Sequence, residues 1–152
     1  MAKEFFLEIG TEEIPSRFIP PALEKMKELF AQLLVAGRVS FSGEIKTYGT
    51  PRRLILIVPA LDERQADLSK EVLGPPKKVA YDGSGMPTRA AVVFAEKNNI
   101  SVDALTVKST EKGDYVVARI DEKGGDTALW LTGALPGYIL SIPFPKSMRW
   151  MD

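Results

Sequence analysis

The stretch TYGTPRRLILIV, residues 47–58, decides how this chain folds. An alternating segment at 44–48 leads into the turn-forming residues Gly-Thr-Pro at 49–51, and an unbroken apolar run follows at 54–58. Alternation, a turn and a run rich in isoleucine and valine together predict two antiparallel strands, 44–48 and 53–58, joined as a hairpin. Because every position of 54–58 is apolar, we expect the second strand to be buried.

Two arginines, Arg52 and Arg53, stand between the turn and the apolar run, and they allow two interpretations. The planar guanidinium fork of arginine suits phosphate, so the pair can serve as a phosphate grip. Alternatively, the pair only marks the exposed start of a strand, which is the usual place for charged residues. If Leu54 faces the core, strand alternation puts Arg52 on the core-facing side and Arg53 on the other. We therefore expect a carboxylate within the fold to hold Arg52 rather than Arg53.

Three glutamates, Glu8, Glu12 and Glu13, cluster nearby in LEIGTEEIP, residues 7–15. Grouped carboxylates can perform acid–base chemistry or hold Mg²⁺. Acidic residues that precede a helix are also explained by the favourable field at a helix N-terminus. One of the three lies on a predicted strand and two lie in a loop, which favours the second explanation. If the first explanation holds, the chain is a stand-alone, metal-dependent nucleotide-binding enzyme built on Glu8, Glu12 and Glu13. A pure protein-interaction module, which needs no such site, is a further alternative function.

Short strands and helices alternate along the rest of the chain. The apolar run at 5–9 predicts a central strand. Prolines 20 and 21, followed by apolar residues at helical spacing, predict a helix that ends near Gly37. Further strands are predicted at 68–73, 77–81, 105–108 and 115–120, and further helices at 89–98 and 127–142.

The order of these elements indicates the fold class. Hairpins outnumber crossovers, so we predict an α+β fold in which a mixed, mostly antiparallel sheet has helices packed on it. The Gly-Pro-Pro sequence at 74–76 is a candidate division between two sub-lobes.

Composition narrows the classes of function. The 152 residues are 45% hydrophobic and 26% charged, as in an ordinary globular domain. The sequence has no cysteine and no histidine, which excludes disulfides, the common zinc sites and any Ser-His-Asp triad built from these residues alone. Twenty basic residues balance twenty acidic ones, so no overall field attracts nucleic acid. No apolar stretch reaches the roughly 20 residues of a membrane span, and we expect a soluble cytoplasmic protein.

Two further segments carry basic residues in a suggestive setting. Lys77 and Lys78 precede the glycine-rich loop DGSG at 82–85, an arrangement that can cradle an anion but that a turn and a helix cap also explain. Near the end of the sequence, Lys146 and Arg149 are interleaved with aromatic residues in PFPKSMRW at 143–150, a pattern that suits single-stranded RNA. Apolar anchoring to a core or a partner also explains the segment and is the favoured interpretation, because aromatic residues most often lie in a core or an interface.

Taken in order, several motifs resemble the N-terminal part of the beta subunit of bacterial glycyl-tRNA synthetase, and they cover essentially the whole chain. The motifs are LEIGTEEIP, YGTPRRLIL, EVLGPP, DGSGMPTRAAVVFAEKNNISVDAL, KGDYV and IPFPKSMRW. Val92 and Val93 depart from the family pattern, which more often has a small or acidic residue followed by glycine at this point. That departure affects the packing of a helix rather than the resemblance.

The resemblance implies that residues 1–152 are the N-terminal fragment of a larger beta subunit, in a tetramer of two alpha and two beta subunits. In this family ATP, Mg²⁺ and glycine activation belong to the alpha subunit, so no cofactor, metal site or catalytic residue is expected in this fragment. The implied role is non-catalytic: binding of tRNA-Gly and assembly of subunits and domains for glycyl-tRNA formation. The candidate contacts to tRNA or to a neighbouring domain are Arg52, Arg53, Lys146 and Arg149.

Overall fold

The structure, a computed structural model, describes residues 1–145. The chain forms two compact units. Of the described residues, the first unit contains Met1–Ala66 and residues 124–145, and the second contains Asp67–Lys123.

An antiparallel sheet organises the first unit. Its strands in chain order are β1 (Ala2–Gly10), β2 (Phe41–Ser42), β3 (Lys46–Thr50) and β4 (Arg53–Asp62). β4 contains the apolar run and is the central strand, with β1 along one side and both β2 and β3 along the other. The prediction of a central strand at 5–9 is therefore wrong in its placement. That segment lies within β1, at an edge of the sheet, because the longer and more apolar β4 provides pairing along both of its sides.

The predicted hairpin of β3 and β4 is confirmed with a small shift. Thr50 pairs with Arg53, so the turn consists of Pro51 and Arg52, and Gly49 belongs to the strand. A Cβ atom added at Gly49 would lie 2.6 Å from Cγ2 of Ile19. Glycine is needed here for the close approach of a helix rather than for the turn.

Helices cover the inner face of this sheet. Helix α1 (Ile19–Ala36) buries one side chain per turn, with Met26, Phe30 and Leu34 completely enclosed. The Phe30 ring stacks on Phe5 of β1 at 5.2 Å between ring centroids. These residues form one core cluster with Leu54, Leu56 and Val58 of β4, and with residues of a C-terminal helix, Thr127–Ser141.

A smaller antiparallel sheet organises the second unit. Its strands are β5 (Leu68–Pro76), β6 (Thr106–Thr110) and β7 (Gly113–Glu122), in the spatial order β5-β7-β6. Its helices are α2 (Lys77–Ala80) and α3 (Arg89–Lys97), and the C-terminal helix of the first unit is α4. The separate core of this unit is built from Ala80, Ala91, Ala95, Leu105, Val116 and Ala118.

Two predictions about the second unit need correction. The strand predicted at 77–81 is the single helical turn α2, because completely buried Ala80 packs in the core beside Ala91 of α3. Residues 74–76 do not separate the units, since they continue β5 through an irregularity in its pairing with β7. The boundary lies instead at Ala66–Asp67, with the return at Lys123–Gly124.

The predicted α+β class is confirmed, with two antiparallel sheets in place of one mixed sheet. Among residues 1–145, no helix combines the length and the apolar character that crossing a membrane requires.

Candidate functional site

The turn between β3 and β4 is supported by the loop that follows β1. The backbone N–H of Thr11 donates to the carbonyl of Arg52 at 3.0 Å, and that of Ile14 donates to the carbonyl of Pro51 at 2.6 Å. Ile14 is also buried in the core of the first unit. The backbone of the arginine turn, which we define as Pro51, Arg52 and Arg53, is therefore held in place by its neighbours.

Arg53 makes the closer ion pair of the two arginines. Its Nε lies 3.0 Å from Oε1 of Glu8 on the neighbouring strand. Arg53 pairs with Gly10 and Ile55 pairs with Glu8, so the two charged side chains are diagonal neighbours on the same face of the sheet. Both side chains remain substantially exposed, and such pairs stabilise a fold by at most about 1 kcal/mol.

Arg52 is only loosely paired. Its Nη2 lies 3.8 Å from Oε2 of Glu13, and the two side chains are 77% and 74% exposed. The expectation that a carboxylate within the fold holds Arg52 rather than Arg53 is therefore wrong. Strand alternation does not extend to Arg52, because that residue lies in the turn and β4 begins at Arg53.

The glutamates serve as counter-charges to the arginines rather than as a shared site. Glu8 faces Arg53, Glu13 faces Arg52, and Glu12 is exposed. Within residues 1–145, no three acidic side chains come together in a way that could hold a metal ion. The alternative of a metal-dependent enzyme built on Glu8, Glu12 and Glu13 thus finds no support in their placement.

The other two predicted contact residues, Lys146 and Arg149, lie outside the described residues.

A second basic surface is an open depression of about 1070 Å³ in the second unit. The end of β5, helix α2, the DGSG loop and the β6–β7 hairpin contribute to its wall. We call it the lysine depression, after the side chains of Lys77, Lys78 and Lys112 that line it together with Tyr81 and Tyr115.

The wall of the depression also contains two acidic side chains, Asp82 and Asp114, so its three lysines leave a formal charge of +1. Oδ1 of Asp82 accepts backbone N–H groups from Ser84 at 2.8 Å and from Met86 at 2.9 Å. Asp114 accepts the hydroxyl of Ser109 at 2.6 Å. Among the described residues no carboxylate lies within 4.0 Å of the three ammonium groups. Ammonium groups beside tyrosine rings are suited to a phosphate backbone with unstacked bases.

Sequence patterns indicated half of this surface. Lys77, Lys78 and the loop at 82–85 are close together in the chain and were visible as a candidate anion cradle. Lys112 and Tyr115 were missed because they come from a hairpin some thirty residues later, and only folding brings them to the same wall.

Comparison with known proteins gives a consistent family. The family model described as glycyl-tRNA synthetase beta subunit matches residues 5–152. The chain is 48% identical over 152 residues to the glycine–tRNA ligase beta subunit of Geobacter sp. strain M21, and 49% identical over 148 residues to that of Geobacter metallireducens. A third relative, from Desulfatibacillum aliphaticivorans, is 48% identical over 144 residues. The alignments cover 95–100% of this chain but only 21–22% of the relatives, so the chain spans about a fifth of their length.

Proposed function

The chain belongs to the glycyl-tRNA synthetase beta subunit family, and on this premise we propose that it is the non-catalytic N-terminal segment of such a subunit. Its proposed role is to bind tRNA and to support the assembly of domains and subunits for glycyl-tRNA formation. The relatives are named glycine–tRNA ligase beta subunits, which supports tRNA-Gly as the proposed substrate and an alpha subunit as the proposed partner. The complete enzyme would contain two alpha and two beta subunits and would act in the cytoplasm. Its alpha subunits would bind the ATP and Mg²⁺ that the reaction uses.

The observation that supports tRNA binding best is that Arg52 combines a fixed backbone with an exposed, loosely paired side chain. Its backbone is fixed by hydrogen bonds from the loop after β1, while its side chain is 77% exposed and its guanidinium is only loosely paired with Glu13. A fixed backbone with an available charge favours a phosphate contact, because the backbone needs no further ordering on binding and only the arginine side chain has to be immobilised. Arg53 contributes less, since Glu8 already occupies its Nε.

The lysine depression supports the same proposal from the second unit. Its three lysines outnumber its two aspartates, so the wall carries a formal charge of +1 although the chain as a whole has no net charge. Among the described residues no carboxylate lies within 4.0 Å of the three ammonium groups, which leaves them available to phosphates. Phosphate contacts of this kind supply affinity without sequence specificity. Lys146 and Arg149 remain further candidates by sequence alone.

The test is to replace Arg52 with alanine in the complete synthetase and to measure tRNA affinity over a range of salt concentrations. Loss of one exposed phosphate contact should cost about 1 kcal/mol, which is about fivefold in affinity. It should also reduce the slope of log affinity against log salt concentration by about 0.9. The variant Arg53→Ala should lose less, and a joint replacement of Lys77, Lys78 and Lys112 should reduce the slope further.

The matched control is Arg119→Ala, which removes an exposed arginine that is paired with Asp121 on β7. It should leave both the affinity and the slope unchanged. If the Arg52 and lysine variants behave like this control, and the subunits still associate normally, tRNA binding by these surfaces is refuted. If tRNA binding is retained but subunit association is lost, the chain is an interaction module instead.

A further inference from the structure

The sheet of the first unit has a second apolar face, opposite the one that the helices cover. Residues that pair directly across strands share a face, so Phe6, Ile57 and Lys46 form one row. Glu8, Ile55 and Tyr48 form the next row. We call the apolar members, Phe6, Tyr48, Ile55 and Ile57, the outer patch.

The outer patch is accessible to solvent although its apolar residue types are those of a protein core. Phe6 and Tyr48 are each 53% exposed, and Ile55 and Ile57 are half-buried and do not belong to the core cluster. A sheet with water on one face usually alternates apolar and polar residues along each strand. β4 is apolar on both faces from Leu54 to Val58, which is typical of a strand covered on both sides.

We propose that the outer patch is the docking surface for a further domain of the same beta-subunit polypeptide. This inference rests on the proposed function, because it requires the chain to be part of a longer subunit. The length of the relatives is consistent with such a further domain, because about four-fifths of each relative lies outside the part that matches this chain. An exposed apolar patch of this kind generally marks an interaction site.

The size of the patch favours a covalently linked domain over a second copy of the chain. A stable dimer of separate chains generally needs about 20–30 residues on each side. The outer patch offers four apolar side chains over three strands. A domain tethered in the same polypeptide is present at an effective concentration in the millimolar range, so a small patch is enough to hold it.

The chemistry of the patch favours protein over RNA. Its centre consists of two isoleucines, which provide no flat ring on which a base can stack. The cations beside it are Lys46 and Arg53, and Arg53 is already paired with Glu8, so next to the patch only Lys46 offers a phosphate a cation that is not in such a pair. An apolar partner surface with a few polar groups at its rim fits this arrangement.

Thiol protection tests the proposal, because the chain contains no cysteine of its own. We would make Tyr48→Cys, with Phe6→Cys as a second probe in case one variant fails to fold. Each variant is prepared in the 152-residue chain and in the complete beta subunit, and maleimide labelling at the introduced thiol is followed by peptide mapping. The matched control is Val35→Cys on helix α1, where the native side chain is 74% exposed.

Docking predicts that labelling at positions 48 and 6 is at least about tenfold slower in the complete subunit than in the 152-residue chain, while position 35 reacts equally in both. Equal labelling of position 48 in the two contexts overturns the inference, as does equal protection of position 35. Protection in the 152-residue chain that grows with protein concentration would identify a second copy instead. Protection that requires added tRNA would identify RNA. Since the main comparison contains no tRNA, its outcome is separate from the Arg52 experiment.

Discussion

Tyr138 of helix α4 contacts helix α1 through both its hydroxyl group and its ring. Its hydroxyl donates to the backbone carbonyl of Met26 at 2.9 Å, and its ring meets Phe30 edge-on at 5.1 Å. The side chain is almost completely buried, and this burial raises the pKa of Tyr138 above its ordinary value of 10. Tyr138 thus makes a buried hydrogen bond and an aromatic contact, and in the folded chain its hydroxyl stays protonated to a higher pH than in the unfolded chain.

We predict that Tyr138→Phe lowers the free energy of unfolding by about 1 kcal/mol at neutral pH, because one buried hydrogen bond is lost while the ring remains. The sign of the pH dependence follows from the raised pKa. Below pH 10 the contribution of Tyr138 is constant. Above pH 10 the unfolded chain loses a proton that the folded chain retains, so wild-type stability falls by up to about 1.4 kcal/mol per pH unit from this group.

Urea unfolding of both proteins between pH 7 and pH 11 measures this effect. The phenylalanine variant lacks this source of alkaline destabilisation, so the two stability curves should converge above pH 10. A difference that stays constant up to pH 11 would show that the hydroxyl does not titrate differently in the folded and unfolded states.

At the scale of single elements, α4 shows how packing overrides local sequence. Gly133, Pro136 and Gly137 all disfavour the interior of a helix, yet the helix runs without interruption from Thr127 to Ser141. Its buried residues, including Leu131 and Tyr138, attach it to the core cluster of the first unit. Its start is secured separately, because Oδ1 of Asp126 accepts the backbone N–H of Leu129 at 2.8 Å.

We predict that Asp126→Ala lowers the free energy of unfolding of the first unit by about 1 kcal/mol, since an unfavourable helix depends on its N-cap. Asp126→Ser should retain most of the stability, because serine also accepts a hydrogen bond at this position. Thermal unfolding of the two variants provides the measurement. Equal losses for alanine and serine would mean that the cap contributes nothing beyond the carboxylate charge.

At the scale of the whole molecule, residues 1–145 form two hydrophobic cores instead of one. The cluster around Leu56 and Phe30 and the cluster around Val116 and Ala91 share no residue. The second unit is inserted into the first, since the chain leaves at Ala66 and returns at Gly124. Each core can therefore be weakened by itself.

We predict that Leu56→Ala, which opens a cavity at a completely buried position, costs about 2–5 kcal/mol and accelerates amide hydrogen exchange in β1, β3 and β4. Exchange in β5, β6 and β7 should remain close to that of the wild type. Val116→Ala is the counterpart in the other core and should show the reverse pattern. Uniform acceleration over all seven strands would indicate a single cooperative unit.

Periodicity and turn chemistry in the sequence by themselves determined the hairpin of β3 and β4, the amphipathic helix α1, the later strands β6 and β7, and the α+β class. These features depend on residues within a few positions of each other, so local patterns are sufficient to predict them. The sequence also indicated the family through its ordered motifs, and the comparisons confirmed it.

Only the tertiary structure decided which arginine is paired, that residues 77–80 form a helix, that β4 rather than β1 is central, and that Lys112 joins Lys77 at one depression. It also showed that the apolar run of β4 has one covered face and one accessible face. The physical reason is common to all of these features. They depend on which distant residues approach each other in space, and periodicity along the chain specifies a face without specifying what lies against it.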